Sequence, residues 1–339
     1  MTPLRGAVVG CGMIAEFHLR GWMRIPGVRI VALVDPNRAA AENYRDRFVP
    51  AARLYADIDA LLASEPIDFV DIVTPPSRHQ EHCLRAKAAH LHVICQKPLC
   101  PELAMAQELV RAFAGSEKLF CVHENHIYRP WFQQVRTLHR LGTLGSLRRV
   151  SLEQHDPQGP PQVFSRESRR GVLLEYGVHL VDMIRTLLGV PTRVSARLGH
   201  IHPAVRGESL AEVTFDYPET TATIDIAWRN DGLARGRALF LGDRGQALYE
   251  GTMIRGGASR FRVRTGQPPD VDETRETVAD YVESFHLFQF DFANAIRNGT
   301  PGPQPAAENL QTLAMVFAAY AAAERQEAVD FSTFGGGPT

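Results

Sequence analysis

Eight residues near the start constrain this chain most strongly. Val8-Val9-Gly10-Cys11-Gly12-Met13-Ile14-Ala15 stands between an apolar run, Gly6–Val9, and a segment with helical spacing of apolar residues, Ile14–Met23. A strand that passes through G-x-G-x-x-A into a helix turns tightly at the first glycine. It leaves its backbone bare at the second and packs helix against strand over a small residue, here Ala15. Apolar runs at Val28–Val34, Phe69–Val73, His92–Cys95 and Leu119–Val122 alternate with helical patterns at Ala39–Phe48, His79–Ala89 and Glu102–Phe113. Strands alternating with helices predict an α/β unit with a parallel, doubly wound sheet, ligands lying outside the carboxyl ends of its strands.

Beyond Pro130 the pattern changes. Helices are expected over Trp131–Leu141 and Val172–Leu188. Strands with period-two alternation follow at Arg193–Leu198, Ala211–Tyr217, Thr221–Trp228, Arg237–Leu241 and Arg260–Arg264, then helices at Phe285–Arg297 and Ala306–Arg325. Strands in succession without intervening helices predict an α+β domain with a mostly antiparallel sheet covered by helices on one face. The 339 residues thus divide into an N-terminal Rossmann domain over 1–123, a second domain over 124–334 and a frayed tail over 335–339.

The charge balance excludes some functions. Lys and Arg total 37 against 38 Asp and Glu, with no basic block, so a nucleic-acid partner is not expected. No apolar run reaches the length of a membrane span. With a strand expected almost at once, from Gly6, no signal peptide is expected, and five cysteines without a C-x-x-C pair suit a reducing compartment. A soluble, cytoplasmic protein is expected. The histidine pairs His90/His92, His123/His126 and His200/His202 have no third ligand at recognisable spacing, so no metal is expected. Only Lys87, Lys97 and Lys118 are lysines, against 34 arginines.

The glycine loop points to a dinucleotide. Gly10, Gly12, Met13 and Ile14 form the expected pyrophosphate site at a helix N-terminus. Asp35 ends the second strand, where a carboxylate accepts from a ribose diol and repels a 2′-phosphate. NAD is therefore the expected cofactor, with Arg38 leaving NADP open. Thr74, Pro75 and His79, in a loop between a strand end and a helix start, are expected to shape the cofactor edge.

Four further motifs occur in order: Thr74-Pro75-Pro76-Ser77-Arg78-His79; Gln96-Lys97-Pro98; Glu124-Asn125, five residues before Pro130; and Gly171-Val172-Leu173-Leu174-Glu175-Tyr176-Gly177-Val178-His179-Leu180-Val181-Asp182. With the glycine loop they resemble the glucose–fructose oxidoreductase / inositol dehydrogenase / rhizopine-catabolism family, Gfo/Idh/MocA, over nearly the whole chain. Three departures from that pattern stand out: Gln96 replaces the usual Glu, Glu175 the usual Asp, and Arg169 and Arg170 the two glycines of many members.

The resemblance implies an NAD(P)-dependent oxidoreductase acting on a hydroxyl of a sugar, cyclitol or related polyol, or on the corresponding ketone. It also implies that the second domain binds substrate and that its open-faced sheet packs against another subunit in a homodimer or homotetramer. Lys97 and His179 are the implied proton-transfer pair. An imidazole with an unperturbed pKa near 6.5 accepts a proton at neutral pH, and a lysine can lose its proton where an arginine cannot. Glu175, four residues before His179 and so on the same face of a regular helix, would orient the imidazole or bind a second substrate hydroxyl. Gln96 and Lys97 are expected at the cofactor, and Asn125 between cofactor and substrate. Arg166 and Arg169, with Arg170, form a cluster suited to an anionic substrate group. Asp182 reads as structural. Two other readings remain open at this point: an NAD-dependent glycosidase that oxidises transiently and eliminates, and a non-catalytic NAD-binding sensor.

Overall fold

The computed structural model describes residues 2–160, 163–229, 234–253, 259–265 and 278–334. The expected tail, 335–339, lies outside the described residues. In the first part, β1 (Leu4–Val9), α1 (Ala15–Trp22), β2 (Val28–Val34), α2 (Arg38–Phe48), β3 (Arg53–Tyr55), α3 (Ile58–Ser64), β4 (Phe69–Ile72), α4 (Pro76–Ala88), β5 (His92–Gln96), α5 (Leu103–Phe113) and β6 (Phe120–His123) follow one another. The six strands pair in parallel in the order β3-β2-β1-β4-β5-β6. Strand order reverses between β1 and β4, which opens a crevice beyond their carboxyl ends. The helix starts are written locally: Asn37 accepts from the Ala40 N–H, Asp57 accepts from the Ala60 N–H, and Pro76 opens α4.

A 3₁₀ turn, Asn125–Tyr128, precedes α6 (Pro130–Arg140) and β7 (Leu147–Asp156). Then come α7 (Val163–Glu167), a π-turn over Leu173–Gly177 that runs into α8 (Val178–Leu188), β8 (Arg193–Gly199), β9 (Leu210–Asp216), β10 (Thr221–Trp228), β11 (Arg235–Gly242), β12 (Gly245–Glu250) and β13 (Arg260–Thr265). The chain continues through α9 (Val278–Asn298), α10 (Ala306–Arg325) and β14 (Val329–Asp330). Eight strands form a second sheet in the order β13-β12-β11-β7-β10-β9-β8-β14. It is antiparallel throughout except for the β7/β10 pair, which is parallel.

β7 and β12 were not expected from the sequence. β7 carries Val150, Leu152 and Gln154 on its buried face, while Arg149, Ser151 and Glu153 alternate with them on the other. So polar a run reads as a loop until its neighbours are known, although it lies in the middle of the sheet. β3, with three residues, and α3, with seven, are too short to show a period.

The chain forms two compact units, one of Met1–Asn125 with Val282–Leu310, the other of His126–Tyr281 with Gln311–Thr339. Each is more than a consecutive stretch, because most of α9 belongs with the parallel sheet. Trp22, Phe69 and Phe292 pack together in the first unit, with ring centroids 4.7 Å (Trp22–Phe69) and 5.9 Å (Phe69–Phe292) apart. In the second, Trp131 stacks on Tyr249 at 4.4 Å. Among the described residues no helix is long and apolar enough to cross a membrane.

Candidate active site

The glycine loop closes β1 onto α1. Gly10 has φ +108°, and a Cβ there would stand 2.9 Å from the Val73 carbonyl group, so this position requires glycine. A Cβ at Gly12 would meet nothing within 4 Å, which leaves its backbone open to a ligand. Asp35 ties the loop down: one oxygen accepts the Cys11 N–H at 2.7 Å, the other the Asn37 N–H at 2.7 Å. Each oxygen keeps a second lone pair. Tyr44 donates its hydroxyl to the Gly12 carbonyl at 2.9 Å. Met13 is 45 % exposed at the loop tip, and Ile14 opens α1 with no side-chain cap. Arg38 points outward and pairs with Glu42 at 2.9 Å.

After β4, Thr74 is half-buried and Pro75 exposed. His79, expected to shape the cofactor edge, is fully buried. Its Nε2 lies 2.8 Å from the Thr74 carbonyl oxygen, and its Nδ1 lies 3.1 and 3.2 Å from those of Pro98 and Leu99. Burial pushes its pKa down to about 4, against the pull of the three carbonyls. His79 is thus a strut that ties the loop after β4 to the loop behind Lys97.

Lys97 follows β5, and its peptide bond to Pro98 is cis. Gln96, buried at the strand end, accepts the Lys97 N–H through Oε1 at 2.7 Å. Its amide nitrogen therefore faces His18 Nε2, 2.8 Å away. An amide NH₂ only donates, so this ring nitrogen accepts and the proton sits on Nδ1. That Nδ1 lies 2.8 Å from Asp71 Oδ2, which also accepts the Trp22 Nε1–H at 2.6 Å. His18 and Asp71 have no solvent exposure. A chain of hydrogen bonds thus runs from a buried carboxylate to the backbone that carries Lys97. Sequence reasoning missed His18 and Asp71. The signal was an aspartate inside the otherwise apolar run Phe69–Val73, since a buried carboxylate needs partners. Asn125 is buried and donates to Ser284 Oγ at 2.8 Å, so its side chain ties the end of β6 to α9.

In the second unit the helix expected over Val172–Leu188 is not regular. Glu175 lies within the π-turn, and α8 begins only at Val178. The wider turn removes the simple i, i+4 relation to His179, and such turns recur at functional sites. His179 is buried, with the His126 ring stacked on it at 3.8 Å and Tyr176 edge-on at 5.8 Å. His126 Nε2 lies 3.1 Å from the Met253 carbonyl oxygen. Asp182 is fully buried and accepts from Thr312 Oγ1 at 2.6 Å and from the Arg185 guanidinium at 3.0 Å, the structural part expected of it.

The three arginines ahead of this helix do not share one environment. Arg166 donates to the Pro160 carbonyl at 2.8 Å. Arg170 lies over the rings of Tyr320 and Phe317, at 4.3 and 4.7 Å. Arg169 lines a cavity of about 920 Å³ with Arg170, Arg197, Glu208 and Tyr320. Among the described residues one trio, Glu153, His155 and Asp225, brings metal-ligand atoms within 4.8 Å of one another. His155 Nε2 there lies 3.0 Å from an Asp225 oxygen, and Arg235 pairs with Glu153 at 2.8 Å.

The first unit fits an NAD pyrophosphate and ribose: an open glycine backbone, an uncapped helix start and a strand-end carboxylate converge at the switch point. Residues 4–124 match the family described as "Oxidoreductase family, NAD-binding Rossmann fold", and residues 132–248 match the "GFO/IDH/MocA C-terminal domain". The D-apiose dehydrogenase of Paraburkholderia graminis is 29 % identical over 349 aligned positions, covering 97 % of this chain and 90 % of that protein. The inositol 2-dehydrogenase of Rhizobium meliloti is 28 % identical over 194 positions, 57 % of this chain and 58 % of that protein. An oxidoreductase from Agrobacterium radiobacter, solved in complex with NAD+, L-tartaric acid and magnesium, superposes with a TM-score of 0.90 at 25 % identity, covering 98 % of this chain and 99 % of that one. Glycine loop, sheet order and both domain matches agree: the chain belongs to the Gfo/Idh/MocA oxidoreductase family and carries that family's NAD-binding Rossmann domain.

Proposed function

We propose that this enzyme is a dehydrogenase for a secondary hydroxyl of a sugar, cyclitol or related polyol, working in either direction, with Lys97 and His179 as proton-transfer groups. The observation that carries the reading is the anchoring of Lys97. In a chain that uses arginine almost everywhere, a lysine follows the strand next to the switch-point strand β4. Its backbone is fixed by Gln96, and Gln96 by His18 and Asp71. Such a network serves a side chain whose position matters.

When bound, NAD would supply the hydride acceptor for the carbinol carbon. Gly10, Gly12, Met13 and Ile14 would hold its pyrophosphate, and Asp35 its ribose. Thr74, Pro75 and Gln96 frame the edge from which Lys97 reaches the substrate. As the carbon loses hydride, the hydroxyl proton passes to the Lys97 amine or the His179 imidazole and the C–O bond becomes a carbonyl; in reduction the same proton returns. Glu175 is assigned a hydrogen bond to a neighbouring hydroxyl or to the imidazole. The relatives' names make D-apiose and inositol the first substrates to try. We further propose a homo-oligomer, with the outer face of the eight-stranded sheet as its interface.

The test is a screen of aldoses, cyclitols and uronates for nicotinamide absorbance change, with NAD and NADP separately and with Lys97→Met in parallel. Turnover in the parent and its loss in the variant, with NADH affinity kept, is the expected result. Substrate conversion without net NADH would point to the eliminating glycosidase. Intact NADH binding without turnover of any polyol would point to the sensor.

A further inference from the structure

The π-turn and α8 begin in an unusual way. A helix start leaves its first four N–H groups without intrahelical partners. Here four consecutive ones are taken up by two side chains and one carbonyl from distant parts of the second unit. Gly171 N–H donates to Glu208 Oε2 at 2.8 Å, Val172 N–H to the Glu208 carbonyl oxygen at 2.9 Å, and Leu173 N–H to Glu208 Oε1 at 3.1 Å. Leu174 N–H donates to the Tyr320 hydroxyl oxygen at 3.2 Å, and Tyr320 donates to Glu208 Oε1 at 2.6 Å. Burial, with the Glu208 charge beside it, raises the Tyr320 pKa well above its ordinary value, so the phenol keeps the proton it donates. The Arg170 guanidinium lies over the Tyr320 ring at 4.3 Å. The two backbones touch: a Cβ on Gly171 would stand 1.8 Å from the Glu208 carbonyl oxygen.

This clasp ends one residue before Glu175 and five before His179. From it we infer that Glu208 is the positioning residue for both: its carboxylate fixes the entry to the π-turn, and with it the direction in which the two side chains leave the helix. The inference rests on the function proposed above. A carboxylate is the group the place requires, because it offers two oxygens to three donors and its charge complements the positive end of the helix. Glutamine has one oxygen, and its NH₂ would face a donor. Aspartate is one methylene too short to span Gly171 and Leu173.

The test uses the full-length, NAD-loaded protein. Glu208→Gln is expected to speed amide exchange of residues 171–174 by about tenfold or more, while exchange in the parallel-sheet unit is unchanged. With the best substrate of the screen, kcat is expected to fall about tenfold or more, with KM and NADH affinity within about twofold. Tyr320→Phe, which removes the acceptor of Leu174 N–H and one donor to Glu208 while leaving the Gly171 and Leu173 bonds, should give the same pattern more weakly, and serves if Glu208→Gln does not fold. Unchanged exchange at 171–174 would overturn the clasp. Faster exchange with unchanged kcat per folded molecule would overturn the positioning role. Lys97→Met, run alongside, separates the two levels: its retained activity would remove the proposed chemistry, whereas its inactivity beside a fully active Glu208→Gln removes only this inference.

Discussion

His126 stacks on His179 with ring centroids 3.8 Å apart and only 22° between the planes. Its Nε2 is held by the Met253 carbonyl oxygen, and Tyr176 stands edge-on to both rings. The imidazole assigned a proton-transfer part is therefore held flat by a second imidazole that is itself anchored to backbone. Removing that ring with His126→Ala is expected to lower kcat about tenfold, on the scale of one lost ring contact and the misplacement that follows. NADH affinity, read by fluorescence titration, should not change. His126→Phe keeps a ring and should recover most of the rate; a fully active His126→Ala would remove the stack from the mechanism.

Lys97→Arg separates charge from proton transfer. A guanidinium keeps the positive charge but does not give up its proton. Steady-state rates at pH 7–9 are expected to fall by about two orders of magnitude or more, the size of a lost general base. Activity close to that of the parent would show that Lys97 serves only as a fixed charge.

Gln96→Glu tests the buried network. His18 Nε2 accepts from the Gln96 amide, so a carboxylate there meets an acceptor, and the ring can keep its bonds to both Asp71 and position 96 only if a proton is bound, on the new carboxyl group or on the ring. The folded state of the variant then holds one more proton than the unfolded chain at neutral pH, and its stability falls as pH rises. Thermal melts should show the deficit against the parent widening from pH 5 to pH 8. A deficit that does not vary with pH would contradict the assigned proton positions.

His79 acts in the opposite direction. Burial lowers its pKa to about 4 in the folded state, whereas the unfolded chain takes up a proton near 6.5. More protons are bound by the unfolded state between these values, so the stability His79 contributes is complete above about pH 6.5 and is lost as pH falls toward 4, at up to about 1.4 kcal/mol per pH unit. His92, also lowered to about 4 mainly by burial, adds to the same window. Urea melts of His79→Gln across pH 4–7 should show a shallower slope than the parent. An identical slope would mean that His79 titrates normally.

The parallel sheet was legible because βα repetition imposes a long-range rule on short patterns. Each apolar run fixes its neighbour's role, and the glycine loop fixes where the ligand lies. The second sheet was legible only in part. β8 to β10 alternate clearly, but β7 carries Arg148, Arg149, Glu153, Gln154 and His155 among three buried aliphatics, a pattern that pairing on both sides makes into a strand. Lys97, Glu175 and His179 could be named from motif order. Their supports could not: Asp71 left a trace as a charge in an apolar run, whereas Glu208 lies in a loop 33 residues from Glu175. His79 and Asn125, expected at the cofactor, are buried and hydrogen-bonded to neighbouring segments, a role that their spacing does not show. Sequence spacing shows that a polar residue is near a site, not which way it faces.

The cysteines described above give the first unit a further property. All five lie in the parallel-sheet unit, all are buried, and burial raises the pKa of Cys11 and Cys100 to about 12. Cys11 sits between the two glycines of the loop, and Cys100 three residues after Lys97. Thiolates, not thiols, react with disulfide reagents and maleimides, so the closed unit offers these reagents very little. The rate at which a thiol dye is consumed would therefore act as a chemical clock for opening of this unit alone. Occupation of the glycine loop should slow that clock, so cofactor binding can be timed without any substrate.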